Sequence, residues 1–339
     1  LVSKEYYSGG GKMKRGFLPP IPIEFFGPED FDTLNIFKIF FFSEEDERKN
    51  YLSTIKEDEK NLPYFSRMVI GIVREKIIRE VWLPEPCFIS LLRPISKTLE
   101  DDGVKVVAFK YPPIKNSEFL KRSIYDSLKY LGISESDLEN RLVAWNTIRN
   151  SLKKVDGVQV RSLALKSYTY IESFHTILDP SLSFPQLRNI AEKRIALNIY
   201  SNKKEPTLRL ATFEFTPVEK GFYSVLDKTG GAIVYDEFSL ESFPLNHLSD
   251  ITYLYSTVSY PLGIMARKDK LQKEVKERGI EAVIYCTYNA SEIKSNADFL
   301  EREIKIPIHI FELSDKEEKN QFEEALLERF LKRITDKRG

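Results

Sequence analysis

The chain has 339 residues, 42% hydrophobic and 30% charged, with 51 lysines and arginines against 51 aspartates and glutamates. That length exceeds the usual size of one core, so two domains are expected, and the balanced charge creates no global field for nucleic acid or anionic lipid. Two cysteines and three histidines cannot build a disulfide framework or a four-cysteine zinc site.

Residues 1–19, with three glycines at 9–11, read as a flexible lead-in, and "LVSKEYYSGGGKMKRG" lacks the apolar segment of a signal peptide. A cytoplasmic protein is expected. The first α/β unit is expected over 20–116. "DTLNIFKIFFF" (32–42) reads as a buried strand, and its apolar part is far shorter than the ~20 residues of a membrane span. A helix over 62–78 follows from apolar residues at three- and four-residue spacing. Then come a strand at 79–83, a helix at 89–103 that Gly103 would end, and a strand at 104–113 closed by two prolines. Helix between strands at this spacing predicts a parallel sheet.

A helical connecting segment is expected over 117–206, with helices at 117–132, 134–157 and 184–200. The second α/β unit, 207–339, predicts strands at 207–215, 231–238, 280–288 and 306–313, with helices at 217–230, 268–279, 291–305 and 319–334. The fold expected is therefore α/β: two Rossmann-like lobes with parallel sheets flanked by helices. The helical segment joins them, and a cleft lies where strand ends face each other.

Several ordered stretches carry a family resemblance. They are "LRLATFEFTPVEKGFYSVLDKTGGAIVYDEF", "RKDKLQKEVKERGIEAVIYCTYNASEI", "IPIHIFELSDKEEKNQFEEALLERF" and, upstream, the strand "VVAFKYPP" followed by helices containing Asn146 and Arg149. Together they resemble the D-component and related subunits of 2-hydroxyacyl-CoA dehydratases and benzoyl-CoA reductases. The resemblance spans roughly 20–334. It implies two related subunits and, in each, three cysteines holding a 4Fe-4S cluster in the cleft. An open iron there would meet the thioester carbonyl and hydroxyl of an acyl-CoA. Thiolates suit such a cluster because soft sulfur ligands stabilise and tune it.

This chain departs from that set. Cys87, in "VWLPEPCFISL", falls on the family's "P-x-x-C-D" turn as a residual ligand position. The first ligand position falls near Leu62 and Pro63, and the third near Ser291. Cys286 lies inside a predicted strand and reads as a buried structural thiol. Where relatives have "D-D-x-C-x-G-S-R" the chain has "YDEFSLESF", keeping Asp236 and Glu237 but placing Glu241 and Phe243 at the glycine and arginine positions.

The resemblance therefore implies a cluster-less relative: a non-redox partner or scaffold subunit, in a heterodimer or homodimer, or a binder of an acyl-CoA-like ligand. No cofactor is expected. The competing expectation is an active dehydratase or reductase subunit whose 4Fe-4S cluster uses atypical or partner-supplied ligands. A third places acid–base chemistry on Glu214, Asp236 and Glu237 at predicted strand ends. Carboxylates in such places also cap helices. No two histidines have ligand spacing, so no metal site is expected. The basic stretch 327–339 suits a helix C-terminus rather than nucleic acid. Gly230-Gly231 follows a helix and precedes a strand, which makes it a helix stop rather than a phosphate loop.

Overall fold

The computed structural model describes residues 14–27, 30, 32–85, 89–177, 179–199, 208–245, 250–260, 262–288 and 290–337, without the side chains of 89, 90, 177, 194, 195, 197–199, 291 and 292. Strand β1 (Arg15–Phe17) lies inside the stretch expected to be a flexible lead-in. It pairs in parallel with β2 (Thr33–Asn35) on one side and β3 (Glu80–Glu85) on the other. The lead-in is therefore corrected at these residues: Phe17 is buried in the sheet core. Residues 1–13 lie outside the described residues.

A second correction concerns the strand expected over 32–42. Only β2 is extended, and helix α1 (Ile36–Phe42) follows at once. The Asn35 side chain accepts a hydrogen bond from the Lys38 amide at 3.0 Å, capping the helix start. Phe37, Phe40 and Phe41 then fall on one buried face, the i, i+3, i+4 pattern of a helix. An apolar run this dense fits either period, and the cap decides between them.

Helices α2 (Glu45–Ser53) and α3 (Tyr64–Glu75) lead to β3, and α4 (Ile89–Asp101) to β4 (Lys105–Lys110). All pairings in this sheet are parallel, in the order β2-β1-β3-β4. Gly71 of α3 lies where a Cβ would come 2.4 Å from the Tyr51 carbonyl oxygen, so α2 and α3 approach at backbone distance there.

The connecting helices are α5 (Ser117–Leu131), α6 (Glu135–Ser162), α7 (Ser167–Ile177) and α8 (Phe184–Ile199). Helix α6 runs through Gly157, its expected end. Two of its side chains reach the second α/β unit: Asp156 pairs with Arg278, and Gln159 donates to the Ile233 carbonyl at 2.8 Å.

The second sheet combines β5 (Leu208–Glu214), β6 (Gly231–Asp236), β7 (Ala282–Thr287) and β8 (Ile308–Glu312), all parallel, in the order β6-β5-β7-β8. Its helices are α9 (Lys220–Thr229), the short α10 (Glu237–Ser242) and α11 (Ile251–Ser256), then α12 (Ile264–Arg278), α13 (Ala290–Ile304) and α14 (Glu317–Asp336). The molecule is thus a mixed α/β structure with two four-stranded parallel sheets flanked by helices.

One continuous apolar core runs through both sheets. A buried polar knot also ties the three segments together. Glu24, ahead of the first sheet's second strand, pairs with Arg149 of α6 and accepts from the Tyr255 hydroxyl of α11 at 2.9 Å. Arg149 donates onward to the Pro244 carbonyl at 3.0 Å, over the Phe243 ring. Glu24 and Arg149 are fully buried. Arg149, one of the resemblance residues, is thus a tie between segments.

Candidate functional site

In the second sheet the strand order reverses between β5 and β7, the place where parallel sheets present residues to ligands beyond their strand ends. Glu214 ends β5 with a left-handed backbone, φ 77°, a conformation that costs a non-glycine residue on the order of 1 kcal/mol. What holds it there is a set of polar contacts. Its amide donates to Glu237 Oε2 at 3.0 Å, its carbonyl accepts from the Tyr260 hydroxyl at 2.5 Å, and its Oε2 lies 2.6 Å from Arg267 Nη1.

Arg267, from the first turn of α12, also donates to Glu237 through Nε at 2.9 Å and Nη2 at 2.5 Å. Its guanidinium is sandwiched over the Phe213 and Tyr260 rings at 4.3 and 5.0 Å. Burial pushes the Glu237 carboxyl up to about 7, and Arg267 works against that shift. Every donor of the fork that faces these acids is spent on them. Glu214 and Glu237 are therefore brought together, bridged by the Arg267 guanidinium.

Asp236 stands apart from that pair. It ends β6 and caps α10, accepting from the Ser239 amide at 2.9 Å. Its carboxylate also accepts from the hydroxyls of Thr212, Ser239 and, at 2.7 Å, Thr216. Burial raises its pKa against the pull of these bonds. Ser239 in turn contacts His175 Nε2 at 3.2 Å. The order is His175–Ser239–Asp236, with the hydroxyl in the middle, so the aspartate does not orient the histidine or stabilise its charged form as it does in a catalytic triad. His175 is fully buried among Phe37, Phe41 and Phe238, and burial lowers it to about 3. It is neutral at physiological pH.

Aromatic rings fill the region between the two sheets. Phe37 of α1 lies 4.2 Å from Phe238 of α10, and Phe65 of α3 lies 5.3 Å from Phe215 and 5.4 Å from Tyr288. Phe215 and Tyr288, just beyond β5 and β7, stand 4.9 Å apart. Edge-on and tilted contacts of this kind add to the burial of the rings themselves. Beside them Glu219 is buried with Oε1 unpartnered among the described residues, as is the Tyr288 hydroxyl. Burial raises Glu219 to about 7, with Arg48 of α2 as the opposing charge.

This packing bears on the cluster that the resemblance implies. Leu62 and Pro63 carry no ligand atom. Cys286 lies in β7, fully buried, with Sγ 3.7 Å from the Ile284 carbonyl, and burial pushes its thiol well up. Cys87 lies outside the described residues, and of Ser291 only the backbone, at the start of α13, is described. Among the described residues no group of three or more His, Cys, Asp or Glu is placed to hold a metal ion. Leu62, Pro63 and the strand-buried Cys286 do not supply the thiolates that a 4Fe-4S cluster needs at those positions. No described helix is long and apolar enough to cross a membrane.

A separate cavity of about 890 Å³ opens between α6 and α12. Lys153, Lys154 and Arg161 face it from α6, and Lys270, Lys273 and Arg278 from α12. Leu240, Val258 and Tyr235 contribute its apolar lining. The sequence offered one signal for it, Lys270 and Lys273 at a three-residue spacing. Its opposite wall comes from a helix more than a hundred residues away in the chain, which periodicity cannot reveal.

No family model matches this sequence, and no curated protein matches it. The resemblance to dehydratase subunits thus rests on the ordered stretches quoted above.

Proposed function

We propose that this chain is a cluster-less relative of the 2-hydroxyacyl-CoA dehydratase and benzoyl-CoA reductase subunits, acting as a non-redox partner or scaffold. On this reading the two sheets are Rossmann-like lobes, and the cleft between them has been closed. The observation that carries it is the inter-sheet packing of Phe37, Phe65, Phe215, Phe238 and Tyr288. On this reading the rings fill the space that a cluster and an acyl group would have taken. The nearby carboxylates support the same reading, because Glu214 and Glu237 are both tied to Arg267 and Asp236 is committed to a helix cap. A protein that keeps the frame and loses the chemistry retains its value through the surface it offers a related subunit.

Co-expression with a cysteine-complete relative from the same genome tests this. Sedimentation is expected to show a heterodimer with one copy of each chain, and dehydration by that relative is expected to require it. Separate sedimentation of the two chains, with the relative fully active alone, would contradict the proposal.

A further inference from the structure

The cavity between α6 and α12 has one wall whose charges are matched and one whose charges are not. On the α12 side Lys270 lies 3.4 Å from Glu274, Lys273 3.7 Å from Glu277, and Arg278 2.5 Å from Glu274. The remaining acids are engaged as well: Asp156 binds Arg278 at 2.7 Å, and Glu241 accepts from the Ser259 amide at 2.5 Å. On the α6 side Lys153, Lys154 and Arg161 are exposed and have no acidic partner among the described residues. Other helices place an acid one turn from a cation, as in Glu45–Lys49 of α2, Arg188–Glu192 of α8 and Glu328–Lys332 of α14. From 150 to 162 the only acid in the sequence is Asp156, which Arg278 already holds.

The unmatched cations share one helix face. Asn150, Lys153, Lys154, Gly157 and Arg161 follow the i, i+3, i+4, i+7, i+11 rows of a single stripe about 16 Å long, and all five line the cavity. Gly157 sits in the middle of that stripe, inside the helix, where glycine costs about 1 kcal/mol against alanine. The missing side chain leaves room for Arg161. A Cβ at 157 would stand 3.5 Å from its Nη1, so the guanidinium lies back over the helix along the groove wall.

The chemistry of this wall limits what fits it. Lysine and arginine offer donors and no acceptor. The groove shows almost no apolar surface, since Leu240 and Val258 are buried. An acidic peptide brings a backbone N–H with every residue, and the three cations cannot receive it. A row of charged acceptors with no apolar body is what matches the stripe. We propose that the α6 face of this groove binds a short chain of phosphate groups, of which inorganic tripolyphosphate is the simplest, through Lys153, Lys154 and Arg161. The Arg161 fork takes one phosphate through two nitrogens, and the lysines take the others as point charges. None of the three breaks an ion pair to do so, while Lys270 and Lys273 stay with their acids on the far wall. The inference stands independently of whether the chain pairs with a relative.

Titration calorimetry of inorganic tripolyphosphate into the full chain, at about 0.15 M salt, tests it. A single site is expected, with a Kd on the order of 10–100 μM. The double variant Lys153→Ala/Lys154→Ala, at exposed positions, is expected to weaken binding about tenfold or more with an unchanged melting temperature. Lys121→Ala/Lys129→Ala removes two exposed cations of α5, outside the groove, and is expected to leave the affinity within about twofold. A short polyglutamate peptide is expected to bind at least about tenfold more weakly than tripolyphosphate. ATP, which carries three phosphates on a nucleoside, is expected to bind no more tightly. The proposal is overturned if tripolyphosphate does not bind at ~1 mM, a concentration that detects even weak sites. It is equally overturned if the α6 variant binds as the unaltered chain does, if the α5 variant loses as much as the α6 variant, or if the peptide matches tripolyphosphate. ATP binding about tenfold above tripolyphosphate would also overturn it, because the groove would then recognise the nucleoside.

Discussion

Arg267 grips Glu237 with two nitrogens, Nε 2.9 Å from Oε1 and Nη2 2.5 Å from Oε2, both groups withdrawn from solvent. A buried pair like this adds little over an apolar pair of the same shape, but breaking it is costly because a charge is left stranded. Arg267 also holds Glu214, so its loss strips both acids of their cation and leaves each either charged and unpaired or forced to take up a proton. Arg267→Met is expected to lose about 3–5 kcal/mol in urea unfolding at neutral pH. The loss should shrink in acid, where the Glu237 carboxyl takes up a proton, and Glu237→Gln in the same chain should restore part of it. A cost under about 0.5 kcal/mol would mean that Arg267 is not the partner of these acids.

The aromatic packing between the sheets carries its own expectation. Phe65 is 1% exposed and touches rings from both sides of the interface. Phe65→Ala should cost about 3–5 kcal/mol, the transfer and cavity terms together. Phe322 on α14, 62% exposed, serves as the control, and its alanine variant should stay within about 0.5 kcal/mol. Equal effects at the two sites would show that the inter-sheet region is not packed.

Glu219 gives a pH signature. Facing it are Arg48 of α2, Tyr64 of α3, Cys286 and Tyr288 at the end of β7, and Glu324 of α14. Burial raises its folded-state pKa from 4.5 to about 7. Between those values the native protein keeps a proton that the unfolded chain has released, so stability from this group falls as pH rises through the window and is level above it. Glu219→Gln removes that slope. The variant should gain on the unaltered chain by on the order of 3 kcal/mol between pH ~4 and pH ~8. His175 slopes the other way: with its folded pKa lowered to about 3, its contribution is complete above 6.5 and is lost as pH falls towards 3. Comparing urea titrations of the two proteins cancels the histidine term. A difference that does not change with pH would mean Glu219 is solvated or paired.

Much of the second sheet was legible because each strand is a short β-branched or aromatic run bounded by clear punctuation. Gly230, Gly231 and Gly279 mark helix stops and strand starts, and β5 to β8 fall where those signals put them. The N-terminal region was harder for physical reasons. "RGF" is too short for any period to show, so β1 is defined only by its neighbours in the sheet. "IFKIFFF" is apolar at every position but Lys38, so it shows no clear period, and the Asn35 cap, a single side-chain contact, makes it a helix. At the site, the sequence identified Glu214, Asp236 and Glu237 as strand-end carboxylates. It could not show that Arg267, thirty residues beyond Glu237, folds back between two of them. Their pairing depends on α12 crossing the sheet, a tertiary relationship that no local pattern records.

The most direct test of the non-redox reading is iron and acid-labile sulfide per chain, measured on protein produced and purified without oxygen. The result expected is less than about 0.1 iron per chain, unchanged in Cys87→Ser. About four irons and four sulfides per chain, lost in Cys87→Ser, would identify a cluster site and contradict the proposed loss of redox chemistry.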